Sequence, residues 1–498
     1  MHIRLKKNQT SQGFFLLLFL SAIELVVAMT QIISGASGGG NWTNIIFFVT
    51  FVWFVIYFWT SFLFHRTLYL FSNAYLIGLA LFHLGLIYLI VFDQVEVSSW
   101  VRGPRSWQYE MAGWYIVLAL SAFGIGQSLG GLGAGRKKRS AHVKELNILE
   151  VNRFIYAQGI GLFMIGLIFL FIALKSYGNI LAYSRAELFN LKADSRGFGL
   201  FMMVMPGAIM LLTVSARTRI QKIFSYSLAV VFFLLILLSG YRSAALMPAL
   251  VGVIIWVKTG RKIPVVIAIT AIIFVLVAIS VVSIFRQMGS YEKLGAEQLR
   301  SSYESSRMID SFAEMGASVG VLSEVLRLIP KKESYRYGYS YWIAIKEMIP
   351  NVSLSIDSSE SRKSKLAQAA FSKAKLKEMA PADWITYKVN RWKFDHGQGL
   401  GFSAIAEPYL NFGMIGVIFY FSILGFILFR FDNKEINYHP YIYLFAGAIY
   451  WTFIRTVRND FRNFMKPMAF LIIILLIYNF FLWAIGKKFR FIANNNKL

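Results

Sequence analysis

Long apolar runs dominate the chain, and short polar clusters separate them. Twelve runs can carry a helix across hydrocarbon about 30 Å thick at about 1.5 Å per residue. They fall near 13–34, 43–63, 71–93, 111–131, 155–175, 198–215, 223–239, 242–257, 263–285, 401–429, 440–454 and 467–486. The first lacks a small-residue cleavage site and is followed by further spans, so it reads as a span rather than a removed signal. Between the ninth and tenth runs lies a polar segment, 286–400, with amphipathic helical periodicity near 308–329 and 361–379. The pattern predicts an all-α polytopic membrane protein of about 12 transmembrane helices with one large helical outer (periplasmic) loop. It divides into spans 1–9 with short loops over 1–285, the loop over 286–400, and spans 10–12 over 401–498.

Composition agrees and removes several function classes. Hydrophobic residues make up 57% of the 498 positions and charged residues only 15%, with a mean hydropathy of +0.56. A soluble domain carries about 25% charged residues. No cysteine is present, which excludes disulfides, thiol nucleophiles and thiolate metal sites. Six histidines are scattered without an H-E-x-x-H pair, so no metal site is expected.

The net charge of +26 would suggest nucleic acid in a soluble protein. Here it must first be divided by side of the membrane. With the N-terminus in the cytoplasm, inner loops and termini hold 22 Lys and Arg against 4 acids, and the outer side holds 29 against 19. That asymmetry sets the orientation, and an even number of spans leaves both termini cytoplasmic. The Arg136–Arg139 run, RKKR, reads as a topology determinant and headgroup contact. No nucleic-acid partner is implied.

Cations on the translocated side run against insertion preference, which makes them candidates for function. Arg455, Arg458, Arg462 and Lys466 recur at i, i+3, i+7 and i+11 in RTVRNDFRNFMK, which predicts one helical face with Asp460 elsewhere. A lipid-linked phosphate or pyrophosphate suits such a stripe, since guanidinium forks match phosphate oxygens. Anchoring to anionic lipid, or pairing with acids of the large loop, is the alternative. Arg185 and Arg196 stand eleven residues apart, close to three helical turns, and either grip one anion or belong to a surface helix. Arg242, at the outer start of a span, either snorkels to headgroups or points into a polar cavity.

The stretch HGQGLGFSAIAEPYLNFGMIG, 396–416, holds the remaining candidates. Ser403, Glu407 and Asn411 fall at i, i+4 and i+8 and draw a polar stripe into an apolar helix. A buried carboxylate there needs a partner or a task, and an outer arginine is the expected partner of Glu407. His396 is either a general base or an ordinary surface histidine. Glu24, inside the first run, is expected to be a structural hydrogen-bonding partner.

SRAEL (184–188), SGYRSAAL (239–246), the loop segment 314–350, GLGFSAIAEPYLNFGMIG (399–416) and RTVRNDFR (455–462) occur in this order on the twelve-span frame. In these features the chain resembles the Wzy-type O-antigen and capsule repeat-unit polymerases, related to the O-antigen ligases. The resemblance implies a GT-C-like glycosyltransferase in the bacterial cytoplasmic (inner) membrane. It also implies an inverting, metal-independent transfer of undecaprenyl-pyrophosphate-linked glycan, donor to acceptor, at the outer face. Glu407, His396 and Arg458 would then be catalytic. Arg185, Arg196, Arg242, Arg455, Arg462, Lys466 and Asn411 would bind substrate and pyrophosphate. No cofactor is implied; membrane lipid, a chain-length regulator and a flippase are the expected partners. An O-antigen ligase-type transferase and a lipid-linked oligosaccharide flippase or exporter are the alternatives.

Overall fold

A computed structural model describes residues 7–36, 41–94, 105–134, 148–177, 196–238, 242–258, 315–348, 373–395, 399–433 and 449–474, with a few isolated positions besides. Helix is the only regular secondary structure among them. In chain order come α1 (Lys7–Ser34), α2 (Trp42–His65), α3 (Phe71–Val91) and α4 (Ser106–Ala134). Then follow α5 (Ile148–Tyr177), α6 (Arg196–Ser215), α7 (Arg219–Leu238) and α8 (Arg242–Lys258). The 286–400 segment supplies α9 (Ser318–Leu328), α10 (Tyr339–Lys346), α11 (Lys373–Glu378), α12 (Pro381–Val389) and α13 (Arg391–Asp395). The long helix α14 spans Ala406–Asp432.

Among the described residues seven helices are long and apolar enough to cross a membrane: α1–α5, α7 and α14. Shorter apolar stretches, Leu200–Ser215 and Ala245–Val257, lie within α6 and α8. These correspond to nine of the twelve expected runs. Beyond Ile263, the run at 263–285 lies outside the described residues, as do 440–448 and most positions after 474. Of the two amphipathic windows expected in the loop, the first contains α9, whose Val319, Leu322 and Val325 are buried. The second is described only at its end, by α11.

Helix α4 is the centre of the bundle and packs against α1, α2, α9 and α14. Its sequence, GIGQSLGGLG over 124–133, explains how. Lipid offers spanning helices no hydrophobic reason to associate, so they cohere through close backbone approach at small residues. A Cβ at Gly126 would lie 2.0 Å from the Ser422 carbonyl oxygen of α14, and the approach is reciprocated by Gly425. Helices α5–α8 form a second group around Phe201, Met205, Phe232 and Ile236. Glu24 is buried in the first group and accepts a 3.4 Å hydrogen bond from Ser121, the structural role expected for it.

Two features fix the ends of this bundle. At one end the buried Asp432 accepts the Phe71 and Ser72 amides, each at 2.9 Å. The last residue of α14 thereby satisfies the open N-terminus of α3. Toward the other end α14 breaks at Gly413, whose φ of 64° and ψ of −151° no helix tolerates. The break releases the Leu410 and Asn411 carbonyls, which accept the Arg336 and Tyr337 amides at 2.9 and 3.0 Å. Non-helical backbone at such a place requires protein partners, and here the 315–348 segment provides them. The expected span from 401 is corrected by the structure. Residues 401–405 are not helical; Gly401, at φ 78°, turns the chain before α14 begins at Ala406.

Adding one methyl at the α4–α14 contact should therefore force two backbones apart. Gly126→Ala is expected to lower stability by about 1–3 kcal/mol. Gly133→Ala, which meets nothing within 4 Å, should leave it unchanged or slightly raised. Thermal unfolding of the two variants in detergent is the check.

Candidate active site

The site is assembled where the start of α14 meets residues 449–466 and the 315–395 segment. After the Gly401 turn the chain runs beside the 3-10 turn Arg455–Arg458, with Phe402 N–H donating to Arg458 O at 2.8 Å and Ala404 N–H to Val457 O at 3.3 Å. The Ser403 hydroxyl oxygen accepts the Ile405 and Ala406 amides at 3.1 and 3.2 Å, filling the open donors at the start of α14. It also lies 2.7 Å from His83 Nε2. His83 Nδ1 faces the Leu79 carbonyl at 3.3 Å and is therefore the protonated nitrogen, so Nε2 accepts the Ser403 hydroxyl. His83 sits in a π-helical turn of α3, Ala80–Leu84, a widening of the kind that re-aims side chains at functional sites.

One turn into α14, Glu407 is 4% exposed and both its oxygens are engaged. Ser340 of α10 donates to Oε1 at 2.9 Å, and the Phe461 amide donates to Oε2 at 2.7 Å. Asn411, fully buried, donates from Nδ2 to Ser340 Oγ at 2.7 Å and to the Glu407 carbonyl at 2.9 Å, and its Oδ1 accepts the Gly338 amide at 3.0 Å. The expected arginine partner of Glu407 is thus replaced by a serine and a backbone amide. Tyr341, Ala404, Glu407, Pro408, Tyr420, Thr456, Asn459 and Phe461 line a small cleft beside this node, sized for water rather than for a sugar.

The arginine run differs from the single cationic face that its spacing predicts. Arg455–Arg458 is a 3-10 turn, Asn459 is extended (φ −133°, ψ 168°), and helix resumes only after Phe461. A 3-10 turn has three residues per turn, so positions 455 and 458 stand in register. Positions 462 and 466 belong to a different element. Asp460, expected to point away, is fully buried and accepts from Ala382 N–H at 3.2 Å and Asn463 Nδ2 at 2.8 Å.

The cations consequently have different surroundings. Arg462 reaches Asp383 at 3.1 Å, Glu347 at 3.8 Å and Asp460 at 3.8 Å. Burial works against its charge, but these three carboxylates outweigh it and hold the guanidinium above its ordinary range. Arg455 lies over the Trp451 ring at 5.6 Å, and its buried Nε has no hydrogen-bond partner among the described residues. Arg458 lies over Phe82, in the π turn of α3, at 5.5 Å. Lys466 is exposed.

Three residues not singled out in the sequence complete the assembly. Ser340 looks like any polar loop residue until the fold places it on Glu407. Arg336 is nine-tenths buried, donates to the Met379 and Leu376 carbonyls at 2.7 and 3.3 Å, and lies 5.1 Å over Trp384. Burial brings its guanidinium down to about 10, against the pull of Glu333, Glu407 and Asp460. His83 had a legible signal, an ionisable residue inside an apolar run. Arg185 and His396 lie outside the described residues. Arg196 and Arg242 open α6 and α8, and their side chains lie outside the description.

Three of the five segments that carry the resemblance, 314–350, 399–416 and 455–462, meet here, and the pattern of the family described as O-antigen polysaccharide polymerase Wzy matches residues 14–488. The chain belongs to that family. Neither the curated proteins nor the solved structures provide a match. Membership makes this an integral membrane protein of polysaccharide biosynthesis, in a family of glycosyltransferase-type polymerases.

In this Wzy-family chain, Ser340 and Glu407 should behave as one unit. Glu407→Gln turns an amide donor toward a group that already donates, at an expected cost of about 1–3 kcal/mol. A double-mutant cycle with Ser340→Ala, read by thermal unfolding, should show a coupling of about 0.5–3 kcal/mol. Additive effects would separate the two residues.

Proposed function

We propose that the chain polymerises undecaprenyl-pyrophosphate-linked oligosaccharide repeat units into a surface polysaccharide, O-antigen or capsule, at the outer face of the bacterial cytoplasmic membrane. The observation that carries this reading is the pairing of the GFSA segment with the RTVR turn, in a chain of this family. The pairing sets the backbone of the arginine turn beside the Glu407 node, where Glu407, Thr456 and Asn459 line one small cleft at one end of a spanning helix. The excess of Lys and Arg in the loops assigned to the inside supports placing that end outside, with both termini cytoplasmic.

The reaction is an inverting displacement. An acceptor sugar hydroxyl attacks the anomeric carbon of the donor glycan from the face opposite its pyrophosphate. The new glycosidic C–O bond forms, the bond to pyrophosphate breaks, and undecaprenyl pyrophosphate leaves with the electron pair. Arg455 and Arg458, fixed on the 3-10 turn, stabilise the charge that develops on the leaving group, and they do so without a metal. Arg185, Arg196, Arg242 and Lys466 are assigned to the pyrophosphates and neighbouring headgroups.

The remaining residues divide between proton transfer and positioning. His396, just before the Gly399–Gly401 turn, is assigned as the base that takes the hydroxyl proton. Glu407 and Asn411 act as positioning residues, since their polar atoms already hold the 338–340 and 461 backbones and side chains in place. Arg462, held by three carboxylates, ties α12 to the arginine turn and contributes to pyrophosphate binding through that placement.

The decisive assay is purified protein with a lipid-linked repeat unit and a chelator. A ladder on the same carrier is expected; transfer to a different acceptor would mean a ligase, and no chemistry would favour a transporter. Arg455→Ala and Arg458→Ala should each lower turnover by about 10²-fold or more while inserting normally. Wild-type turnover in both would remove the turn from the reaction. Lys466→Cys, on this cysteine-free background, should react with an impermeant reagent from outside.

A further inference from the structure

Six large apolar side chains of the described 315–395 segment are exposed, and four of them fall between 337 and 345: Tyr337, Tyr339, Trp342 and Ile345. Their exposures are 74%, 38%, 58% and 45%. At about 100° per residue, Tyr339, Trp342, Ile345 and the exposed Lys346 occupy one arc of about 120° on α10. The opposite arc holds Ser340, Ile343 and Ala344, all buried, with Ser340 on Glu407 and Asn411. The helix is therefore two-sided, with its polar anchor facing the protein and its aromatic face turned away. A water-exposed helix is built the other way round.

The level of this helix along the bundle follows from the break in α14. From Met414 to the end of α14 at Asp432, the helix covers about 28 Å at about 1.5 Å per residue, close to the thickness of a hydrocarbon core. Gly413 therefore stands near one boundary of that core. The Tyr337–Gly338 turn is seated at this level, since a Cβ on Gly338 would lie 3.2 Å from the Phe412 ring. Phe412, Ile415 and Phe419, which flank and follow the break, are themselves exposed at 49%, 62% and 64% and form the lipid-facing side of α14. The aromatic face of α10 continues that apolar surface past the end of the span.

We infer that α10 is an interfacial helix, with Tyr339, Trp342 and Ile345 embedded at the boundary between lipid headgroups and acyl chains. Tyrosine and tryptophan favour that layer because each has an apolar ring and a polar edge. Lys346 extends its ammonium to the headgroup phosphates. Because Ser340 lies on the other face of the same helix, the membrane surface and the Glu407 node are joined by one rigid element of eight residues. The inference rests on α14 spanning the bilayer and holds whether or not the chain polymerises glycans.

The absence of cysteine allows a direct test in full-length protein reconstituted into phospholipid nanodiscs. Spin labels are placed one at a time through Trp342→Cys, Ile345→Cys, Ile415→Cys and Lys377→Cys, the last on an exposed position of α11. Accessibility is then read with lipid-soluble oxygen and a water-soluble nickel chelate. Labels at 342 and 345 are expected at a depth between Ile415 and Lys377, with oxygen favoured over nickel. Nickel accessibility like that of Lys377 would place α10 in water and overturn the inference. Protection from both reagents would mean that protein covers the face, and a depth equal to Ile415 would put the helix inside the hydrocarbon; either result overturns it too.

Discussion

The carbonyls released where α14 breaks at Gly413 have to be hydrogen-bonded, and much of the site follows from how that is done. An unpaired carbonyl next to hydrocarbon costs several kcal/mol, so a broken spanning helix persists only where protein answers it. Here Arg336 and Tyr337 donate their amides to Leu410 and Asn411. That docking sets where the next residues go. Gly338 falls on the Asn411 side chain, and α10 starts with Ser340 against Glu407. A local backbone defect thus becomes the means by which the polar 315–348 segment is registered on an apolar bundle.

The same reasoning explains why Glu407 can be buried without an arginine. A carboxyl group in this position loses its hydration, and two well-placed donors replace part of it. One is a hydroxyl, the other the Phe461 amide. Using an amide has a structural consequence that a guanidinium would not: it fixes the backbone just after Asn459 and Asp460. The arginine turn is held on one side by that bond and on the other by the Phe402 and Ala404 amides. Arg455 and Arg458 are consequently carried by backbone that is hydrogen-bonded on both flanks.

What could be read from the sequence divides along physical lines. The spans are legible because hydrophobic length is a property of composition over about twenty residues, and it survives any detail of packing. Glu407 and Asn411 are legible because a charge or amide inside an apolar helix needs a reason. The break at Gly413 is not, since NFGMIG continues an apolar helical pattern and nothing local separates a glycine at positive φ from one in a helix. The arginine stripe misled for a related reason. Spacing alone assumes a continuous helix, while the Asp460 side chain takes the Ala382 amide and Asn463, which favours interrupting it. Ser340 carried no signal of its own, because its role depends on residues about seventy positions away.

The division of the cations follows from these contacts and bears on what the site can bind. A guanidinium surrounded by Asp383, Glu347 and Asp460 is already neutralised, and adding an anion there would have to displace carboxylates at close range. Arg462 therefore joins elements. Arg455, lying on an indole with Nε unsatisfied among the described residues, retains donor capacity. A lipid-linked pyrophosphate is confined by its own chain to the headgroup layer, so a site for it has to lie within a few ångströms of that layer. On the proposed reading the start of α14 meets this requirement, because Glu407 is less than two turns from the Gly413 break, which we place near the hydrocarbon boundary. On that reading, the geometry that makes the helix break costly in lipid is also what brings the arginine turn to the depth proposed for such a phosphate.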